Sequence, residues 1–394
     1  MTRQVASLSA RLAGITSICI DGRMLNDAGS GTGVGQFART LIAALQGAGV
    51  DPAILGDGGI AVRRTQFGKL LAAARPWARR ATVAPHGFAI RDVFREAQVF
   101  FDIHRRPMPI ILPGPPGTMH WTYPLPLRAV GWRNLYTVHD VLPLDPAIPS
   151  PVNGPRLRKL LNALRAAGGE FATVSEAARD QIVARMGWPR EIVPSCHQAV
   201  AVVTASADAV STTTPQALPD GLRRDGYLLY VGAVEARKNL PRLLEAYRIS
   251  GITTPLVISG PDGLDSVHID AQIAGTPGAV RLGLQSRAAV LSLIANARAL
   301  VFVSLAEGFG LPVIEAMALG TPVLAGDVAA LAEVAGGAAM LADPLDIAVL
   351  RDALVTIDAD AALRDRLSAQ GIARAQHFAL APYAQRLLTL YGMT

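Results

Sequence analysis

The chain has 394 residues, 51% of them hydrophobic, and a formal net charge of +6. This length favours two domains of about 200 residues each, since one hydrophobic core rarely grows so large. Its two cysteines, Cys19 and Cys196, stand in apolar surroundings, which argues against a disulfide framework or a cysteine metal site and favours a reducing compartment. We expect no signal peptide and no transmembrane helix, because no apolar run reaches about 18 residues.

Charge is unevenly distributed along the chain. Residues 1–225 carry 25 Lys and Arg against 16 Asp and Glu, a net charge of +9, whereas residues 226–394 carry 12 against 15, a net charge of −3. A basic first half indicates an anionic partner surface. A membrane surface or an anionic lipid-linked substrate is favoured over nucleic acid, because the sequence has no recognisable nucleic-acid-binding module.

A glycine-rich loop follows the first predicted strand, residues 17–21. It reads G-S-G-T-G-V-G from Gly29 to Gly35 and precedes apolar residues at helical spacing, so it can hold phosphate at the start of a helix. Residues 33–38 also fit the G-x-G-x-x-A fingerprint of dinucleotide-binding proteins, although the gap after the strand is too long for that fingerprint. A flexible turn without a ligand is the third interpretation.

Residues 63–95 form an arginine-rich segment. The segment holds eight Lys and Arg and one acid, Asp92, with four large apolar residues between them: Phe67, Leu70, Leu71 and Trp77. This composition is typical of an amphipathic segment on a membrane surface. A solvated helix face is slightly favoured over this interpretation, and Pro76 argues against one continuous helix.

Two histidines stand near predicted strands of the first domain. His139 and Asp140 follow a buried strand at residues 134–138, at the end where open α/β sheets bind ligands. His120 is a weaker candidate, because it can equally be a packing residue. The last strand of this domain is expected at residues 171–174, with Ser175 capping the next helix.

A second domain begins after a linker predicted at residues 204–224. Its first strand, residues 227–231, leads through Gly232 to Arg237 and Lys238, two adjacent cations suited to a diphosphate. Asn239 is expected to cap the helix that follows. Further strands at 256–259 and 279–282 end in Gly260 and Gly283.

The most informative segment is E-G-F-G-L-P-V-I-E, from Glu307 to Glu315. It lies between a predicted buried strand at 299–303 and a predicted helix with Pro312 in its first turn. The glycines allow a sharp turn, and the N–H groups around Gly310 and Leu311 face outward from a helix N-terminus, which favours anions. With a carboxylate on each side, the segment fits a polyol attached to phosphate.

This segment resembles the signature of retaining GT-B glycosyltransferases of the family 4 type, also called glycosyl transferases group 1. The stretches V-G-A-V-E-A-R-K-N-L, L-Y-T-V-H-D and D-G-R-M-L with G-T-G-V-G-Q-F resemble other motifs of that family. The resemblance is continuous from about Tyr227 to Tyr391 and patchy before that. It implies an α/β GT-B fold of two Rossmann-like domains facing across a cleft: residues 1–203 bind acceptor, residues 225–377 bind nucleotide sugar, and residues 378–394 cross back as a helix.

The resemblance also implies roles for individual residues. Arg237 and Lys238 would neutralise the leaving nucleoside diphosphate, Glu307 would lie against the donor sugar, and His139 would face the transferred sugar. Glu315 would bind the ribose. The remaining expected donor contacts are Gly33, Gly35, Gly232, Gly260, Gly283, Phe309, Gly310 and Leu311. Relatives often have arginine where this chain has Gln36, which puts a phosphate contact there in doubt.

The expected reaction is transfer of a hexose from a nucleotide sugar to a hydroxyl, with retention at the anomeric carbon. We expect GDP-mannose as donor, with UDP-glucose or a UDP-hexosamine as alternatives, and a lipid-linked oligosaccharide or a lipopolysaccharide or exopolysaccharide precursor as acceptor. No metal or other cofactor is expected, since the cations can replace Mg²⁺. We expect a cytoplasmic protein, with a peripheral position on the inner face of the membrane as an open option.

Three other classes compete with this interpretation. A nucleotide-sugar epimerase would need a second acid/base cluster, and a phosphorylase would need a pyridoxal lysine, although the chain has just three lysines. A non-catalytic sugar or lipid binder would be expected to lose Arg237, Lys238 or Glu307, and all three are present. A nucleic-acid binder would rest on charge alone.

Overall fold

The computed structural model describes residues 17–25, 32–58, 66–201 and 218–393, without the side chains of residues 66, 67 and 69. Most of the predicted linker, and residues 29–31 of the predicted glycine loop, therefore lie outside the described residues. Alternating strands and helices build two parallel sheets, one in each half of the chain. The predicted strands are present within one or two residues of their expected bounds.

In its described residues, the first domain has ten strands, most of them in one mainly parallel sheet. These strands are β1 (Ile18–Asp21), β2 (Ala53–Gly56), β3 (Arg79–Arg80), β4 (Thr82–Ala84), β5 (Gly87–Ala89), β6 (Met108–Ile111), β7 (Thr118–Trp121), β8 (Leu127–Ala129), β9 (Arg133–Val138) and β10 (Glu170–Thr173). Seven of them form one sheet in the order β10-β9-β7-β1-β2-β5-β4, in which only the edge pair β4–β5 is antiparallel. The other three form a small parallel sheet, β3-β6-β8, which the sequence did not predict.

Five helices accompany these strands in the described residues. They are α1 (Gly33–Gly47), α2 (Gln66–Ala73), α3 (Val93–His104), α4 (Gly154–Ala166) and α5 (Glu176–Met186). The cap predicted at the start of α5 is confirmed, because the Ser175 hydroxyl accepts a hydrogen bond from the N–H of Ala178 at 3.0 Å.

The arginine-rich segment is not one amphipathic helix. It is divided among α2, three short strands and the start of α3, with the turn at Pro76 between the first two elements. Arg79 points inward, where it donates to the buried carboxylate of Glu96 at 2.6 Å and to the carbonyl of Ala72 at 2.6 Å. Arg79 therefore holds α2, β3 and α3 together, whereas Arg75, Arg80, Arg91 and Arg95 are exposed.

The second domain has one sheet of six parallel strands. The strands are β11 (Leu228–Val231), β12 (Leu256–Ser259), β13 (Ala279–Gly283), β14 (Ala299–Phe302), β15 (Val323–Gly326) and β16 (Met340–Ala342). Their order is β13-β12-β11-β14-β15-β16. Successive strands are therefore added on one side of β11 as far as β13, and on its other side from β14 onward, so the strand order reverses between β11 and β14. Open α/β sheets bind ligands outside the carboxyl ends of their strands at such a reversal.

The helices of this domain are α6 (Leu240–Ser250), α7 (Ser266–Ala274), α8 (Arg287–Asn296), α9 (Leu311–Ala318), α10 (Ala329–Ala335), α11 (Ile347–Ala359) and α12 (Ala361–Ala375), followed by α13 (Leu380–Tyr391). The last of them packs on α1 of the first domain. There the hydroxyl of Tyr391 lies 2.6 Å from Nδ1 of His120, whose Nε2 lies 2.7 Å from the hydroxyl of Thr137. Of the two interpretations of His120, the structure supports the packing residue, because burial lowers its pKa to about 3 and it stays neutral.

Candidate active site

The two predicted cations lie in a short helical turn, Ala236–Lys238, between β11 and α6. Lys238 donates from Nζ to Oε1 of Glu307 at 2.6 Å and stands 4.9 Å from the centre of the Phe302 ring. Arg237 lies 3.4 Å from the other oxygen of Glu307 and donates to Glu235 at 2.6 Å. The structure therefore brings Arg237, Lys238 and Glu307 together, at the reversal point of the second sheet.

Glu307 is a buried carboxylate that remains ionised. Burial raises its pKa, but the charges of Lys238 and Arg237 outweigh that effect and hold the pKa below its ordinary value. The carboxylate is thus a fixed negative charge between two cations. A sugar hydroxyl that donates to Glu307 would leave the cations available for an anion.

The turn after Glu307 is shaped for close backbone contacts. Gly310 has φ 112° and precedes α9, and a Cβ there would lie 2.6 Å from a methyl carbon of Leu331. Phe309 packs edge-on against Phe378 at 5.5 Å. In the first turn of α9, Pro312 has no N–H and the N–H of Val313 donates to the carbonyl of Gly310 at 3.0 Å, so the anion-binding prediction concerns the N–H groups of Gly310 and Leu311.

The two domains touch at this turn. Gly308 faces the backbone of His139, and its carbonyl accepts a hydrogen bond from the Ser175 hydroxyl at 2.6 Å. The carbonyl of Glu307 accepts from the side chain of Gln181 at 3.2 Å. In addition, a Cβ built on Gly33 would stand 3.6 Å from Leu311. Residues from both sequence halves therefore meet around the candidate site.

His139 stands where the sequence placed it, after β9 and at the domain contact. Its Nε2 lies 2.8 Å from the carbonyl of Thr122, so that nitrogen carries the proton and Nδ1 is the acceptor. Burial lowers its pKa to about 4, which keeps the ring neutral. Asp140 beside it is half-buried, and desolvation raises its pKa, although a hydrogen bond from the N–H of Leu142 and the charges of Arg237 and Lys238 oppose this effect. The sequence predicted the position of Asp140 after this strand but assigned it no role.

Glu315 has a partner that the sequence did not predict. Both of its carboxylate oxygens accept from Arg287, at 2.9 and 2.6 Å, and the carboxylate is buried. A ribose at Glu315 would therefore meet the carboxylate–guanidinium pair. The spacing within the motif gave no signal for Arg287, because this arginine comes from α8.

The predicted glycines fall into two groups. Gly232 and Gly260 have φ of 156° and 153°, and a Cβ on Gly260 would lie 1.9 Å from the carbonyl oxygen of Gly232. These two glycines allow β11 and β12 to end side by side, whereas Gly283, with φ 67°, faces open space.

Gly33 and Gly35 were expected in a loop, but they lie inside the first turn of α1. The N–H of Gly35 donates to the capping hydroxyl of Thr32 at 3.1 Å, so this N–H is already used. Asn239 directly precedes α6 as expected, but the prediction that its side chain caps the helix is wrong. It adopts φ 63°, and its side chain donates to the carbonyl of Pro344 at 2.6 Å instead.

The two acidic residues of the D-x-D stretch make structural contacts. In the D-x-D stretch near the carboxyl terminus, Asp358 accepts from Arg298 at 2.7 Å and Asp360 caps α12. Within the part of the chain that the structure describes, no group of three or more His, Cys, Asp or Glu is arranged to hold a metal ion. In the same residues, no helix has the length and apolar character needed to cross a membrane.

Comparison with known families identifies the second half of the chain. The model of the family described as "Glycosyl transferases group 1" matches residues 221–374. The chain carries a group 1 glycosyltransferase domain. This domain contains the cluster of Arg237, Lys238 and Glu307 and the turn before α9.

Among known proteins, the chain is similar to two mannosyltransferases of Escherichia coli. It is 34% identical to O-antigen chain mannosyltransferase B over 217 residues, which are 52% of this chain and 56% of that protein. It is 26% identical to the serotype-specific mannosyltransferase WbdA over 291 residues, 70% of this chain and 35% of that protein. The match thus spans about half or less of these relatives.

Solved glycosyltransferase structures share the fold of the whole chain. Sucrose-phosphate synthase from Thermosynechococcus elongatus superposes with a TM-score of 0.68 and 19% identity, covering 96% of this chain and 98% of that one. Anabaena HepE in complex with UDP and glucose gives a TM-score of 0.66 and 16% identity, covering 96% and 100%. Two parallel α/β domains in this arrangement are the GT-B fold that the sequence resemblance implied.

Proposed function

We propose that this group 1 glycosyltransferase transfers mannose from GDP-mannose to a hydroxyl of a cell-surface polysaccharide precursor, with retention at the anomeric carbon. The observation that carries the proposal is the cluster of Arg237, Lys238 and Glu307 beside the N-terminus of α9. The choice of mannose is supported by the names of the two E. coli relatives.

The geometry supports a defined role for each member of the cluster. Breaking the bond between the anomeric carbon and the diphosphate leaves negative charge on the diphosphate and positive charge on the sugar. Arg237, Lys238 and the N–H groups at the start of α9 would stabilise the diphosphate, as pre-oriented donors do for developing anions. Glu307 would accept from a hydroxyl of the sugar.

Retention follows if the acceptor attacks on the side that the diphosphate leaves. The acceptor oxygen then forms its bond to the anomeric carbon while its proton passes to an oxygen of the departing diphosphate. This step needs no nucleophile from the protein. We propose that it needs no metal, because Arg237 and Lys238 would supply two positive charges beside the departing diphosphate.

The direct test is transfer from GDP-mannose to a mannoside acceptor in the presence of EDTA, with the product anomer determined by NMR. An α-linked product from the α-linked donor supports the proposal. A β-linked product would refute retention, and turnover of UDP-glucose but not GDP-mannose would refute the choice of donor. Epimerised nucleotide sugar, or binding without turnover, would point to another class of GT-B protein.

We also propose that the first domain contacts the inner face of the cell membrane. Leu70, Leu71 and Trp77 are at least half exposed, and the exposed Arg75 and Arg80 lie close by in the chain. Exposed apolar side chains with arginines are typical of surfaces that bind anionic lipids. Such a surface would bring the cleft to a lipid-linked acceptor.

Sedimentation with phosphatidylglycerol vesicles tests the membrane proposal. Replacing Arg75 and Arg80 with Gln should reduce co-sedimentation, since each cation near an anionic surface adds about 1 kcal/mol. The matched control replaces Arg248 and Arg366, two exposed arginines of the second domain, and should not reduce it. Equal loss in both variants would mean that net charge alone drives the binding.

A further inference from the structure

Arg287 and Glu315 form an ion pair in which the arginine is the exposed member. The guanidinium donates from Nη1 and Nη2 to the two carboxylate oxygens at 2.9 and 2.6 Å, a forked contact that fixes both side chains. The side chain of Glu315 is 4% exposed, whereas that of Arg287 is 34% exposed. A ligand that approaches this position therefore meets Arg287 first, because almost no surface of Glu315 is accessible.

The pair lies at the edge of the second sheet that also carries the candidate cations. Arg287 begins α8, four residues after β13 ends at Gly283. Arg237 and Lys238 follow the carboxyl end of β11. Since β11, β12 and β13 are parallel, all three cations lie at one edge of the sheet, where open α/β sheets bind ligands.

The position of the pair along α9 indicates which part of a nucleotide it would meet. Glu315 lies four residues beyond Leu311, the first residue of the helix, which is about 6 Å along the helix axis. With the diphosphate at the start of α9, this distance leads to the pentose that is bonded to the phosphate. The base lies one ring further away.

The stability of α8 does not explain an arginine at its first position. The N-terminus of a helix carries a partial positive charge, so a cation in the first turn is unfavourable. The helix is already capped by Ser286, whose hydroxyl accepts from the N–H of Ala289 at 3.2 Å. Glu315 offsets the charge of Arg287 and engages two of the five N–H groups of the guanidinium. Other N–H groups of the exposed guanidinium can therefore donate to a ligand.

The charge of the pair selects among possible ligands. Because Glu315 neutralises Arg287, the pair has no net charge and attracts a phosphate less than Arg237 and Lys238 do. A hydrocarbon chain would bury the guanidinium without hydrogen-bond partners. The hydroxyl oxygens of a ribose accept from N–H donors and carry no charge, so they match the exposed guanidinium.

We propose that Arg287 binds the ribose hydroxyls of the nucleotide-sugar donor and that Glu315 is a positioning residue, which holds Arg287 in place. The inference rests on the proposed glycosyl transfer and deepens it. It assigns the ribose to the exposed arginine rather than to the carboxylate that the motif indicated. It also makes the site selective for ribonucleotides over deoxyribonucleotides, whatever the base.

Isothermal titration with GDP and with 2′,3′-dideoxy-GDP tests the proposal. The dideoxy compound keeps the base and the diphosphate but lacks both ribose hydroxyls. The wild type should bind it about 10-fold more weakly than GDP, which is the effect of one or two lost hydrogen bonds. In Arg287→Met, GDP itself should bind about 10-fold more weakly than in the wild type, and the two compounds should bind equally.

Two further variants separate ribose binding from a purely structural role. Glu315→Gln keeps the shape and one oxygen to which Arg287 can donate, so GDP should still bind at least about 3-fold more tightly than the dideoxy compound. Arg298→Met is the matched control, because it removes another partly buried arginine–carboxylate pair of the second domain, formed with Asp358. This control should lower the melting temperature but leave the preference for GDP equal to that of the wild type.

The outcomes separate this inference from the proposed function. If the wild type binds GDP and Arg287→Met retains the full preference for GDP over the dideoxy compound, the inference is wrong and the proposed function stands. Loss of the preference in Glu315→Gln alone would likewise overturn it, by assigning the ribose to the carboxylate. A wild type that binds the two compounds equally would overturn it as well.

A change of base leaves the inference standing. A wild type that binds UDP but not GDP refutes the choice of donor, and the inference then predicts the same preference, about 10-fold, for UDP over 2′,3′-dideoxy-UDP. A wild type that binds no nucleotide refutes the proposed function, and this inference with it.

Discussion

Replacing Gly308 with Ala should separate the two domains without unfolding either of them. A Cβ at this position would lie 2.4 Å from the carbonyl oxygen of His139 and 2.9 Å from the Cβ of Asp140. Non-bonded heavy atoms prefer separations of about 3.5 Å or more, so the domains must move apart by roughly 1 Å. The backbone itself accepts alanine, because Gly308 does not adopt a positive φ.

The size of the effect follows from this displacement. A misplacement of about 1 Å between reacting groups can cost about 100-fold in rate, which corresponds to ~2.7 kcal/mol of activation free energy. We therefore expect kcat/KM for transfer from GDP-mannose to fall about 100-fold in Gly308→Ala. Binding of GDP alone should change little, since Arg237, Lys238 and α9 all belong to the second domain.

Initial rates and isothermal titration with GDP measure these two quantities. The matched control is Gly47→Ala, the same substitution in α1 at a glycine whose added Cβ would meet no atom within 4 Å. Equal kcat/KM in the two variants would show that the domain contact at Gly308 is not part of the productive arrangement. A large loss of GDP affinity would show that the substitution distorts the second domain instead.

Two further predictions concern charges at the domain contact. Lys238→Met should lower kcat/KM at least 100-fold in the transfer assay. It should also raise the pKa of Glu307, because Glu307 loses the closer of its two cationic partners. An unchanged rate would show that Lys238 is not part of the site. Glu333, on α10, accepts from the N–H groups of Glu176 and Ala177 at 2.8 and 2.7 Å, so Glu333→Gln should destabilise the protein by about 1 kcal/mol in thermal unfolding at pH 7. Burial raises the pKa of Glu333, but its hydrogen bonds outweigh this effect and hold the pKa below 4.5. The contribution of the Glu333 carboxylate to the stability of the folded protein is therefore complete above pH 4.5. It is lost as the pH falls through the pKa that Glu333 has in the folded state. A difference in melting temperature that does not decrease as the pH is lowered below 4.5 would contradict this assignment.

Local sequence patterns predicted the parts of the site that lie within one strand–turn–helix unit. The run from Glu307 to Glu315 gave the turn, the helix start at Leu311 and both carboxylates, because glycine, proline and apolar periodicity act over a few residues. Arg237 and Lys238 were placed for the same reason, since each follows a strand whose end faces the reversal point of the sheet.

Local sequence patterns could not predict contacts between distant segments of the chain. Nothing near Glu315 indicates that Arg287, 28 residues away, occupies both of its oxygens. The role of Gly308 depends on the backbone of His139 in the other domain. Asn239 was expected to cap α6 by its residue type, but a bond to Pro344, 105 residues away, fixes its side chain instead. In each case a long-range interaction overrides or adds to the local preference.

The small sheet of β3, β6 and β8 has the same explanation. Composition indicated a basic amphipathic segment there, and the burial of Arg79 against Glu96 could not be read from charge alone. Asp21 and Thr122 likewise become hydrogen-bonded neighbours only when β1 and β7 pair, 101 residues apart in the chain. In these places the residue types indicated which interactions are possible, but the contacts depend on which strands pair.

The central claim is that Arg237, Lys238 and the start of α9 hold a nucleoside diphosphate without a metal ion. Thermal unfolding of the wild type with GDP, UDP, ADP or dTDP, each with Mg²⁺ or with EDTA, tests it most directly. A ligand at a hundred times its dissociation constant adds about 2.7 kcal/mol to the stability. We predict a shift of this size with GDP that is equal in Mg²⁺ and EDTA and is lost in Lys238→Met. A shift that requires Mg²⁺, or none with any of the four nucleotides, would contradict the account.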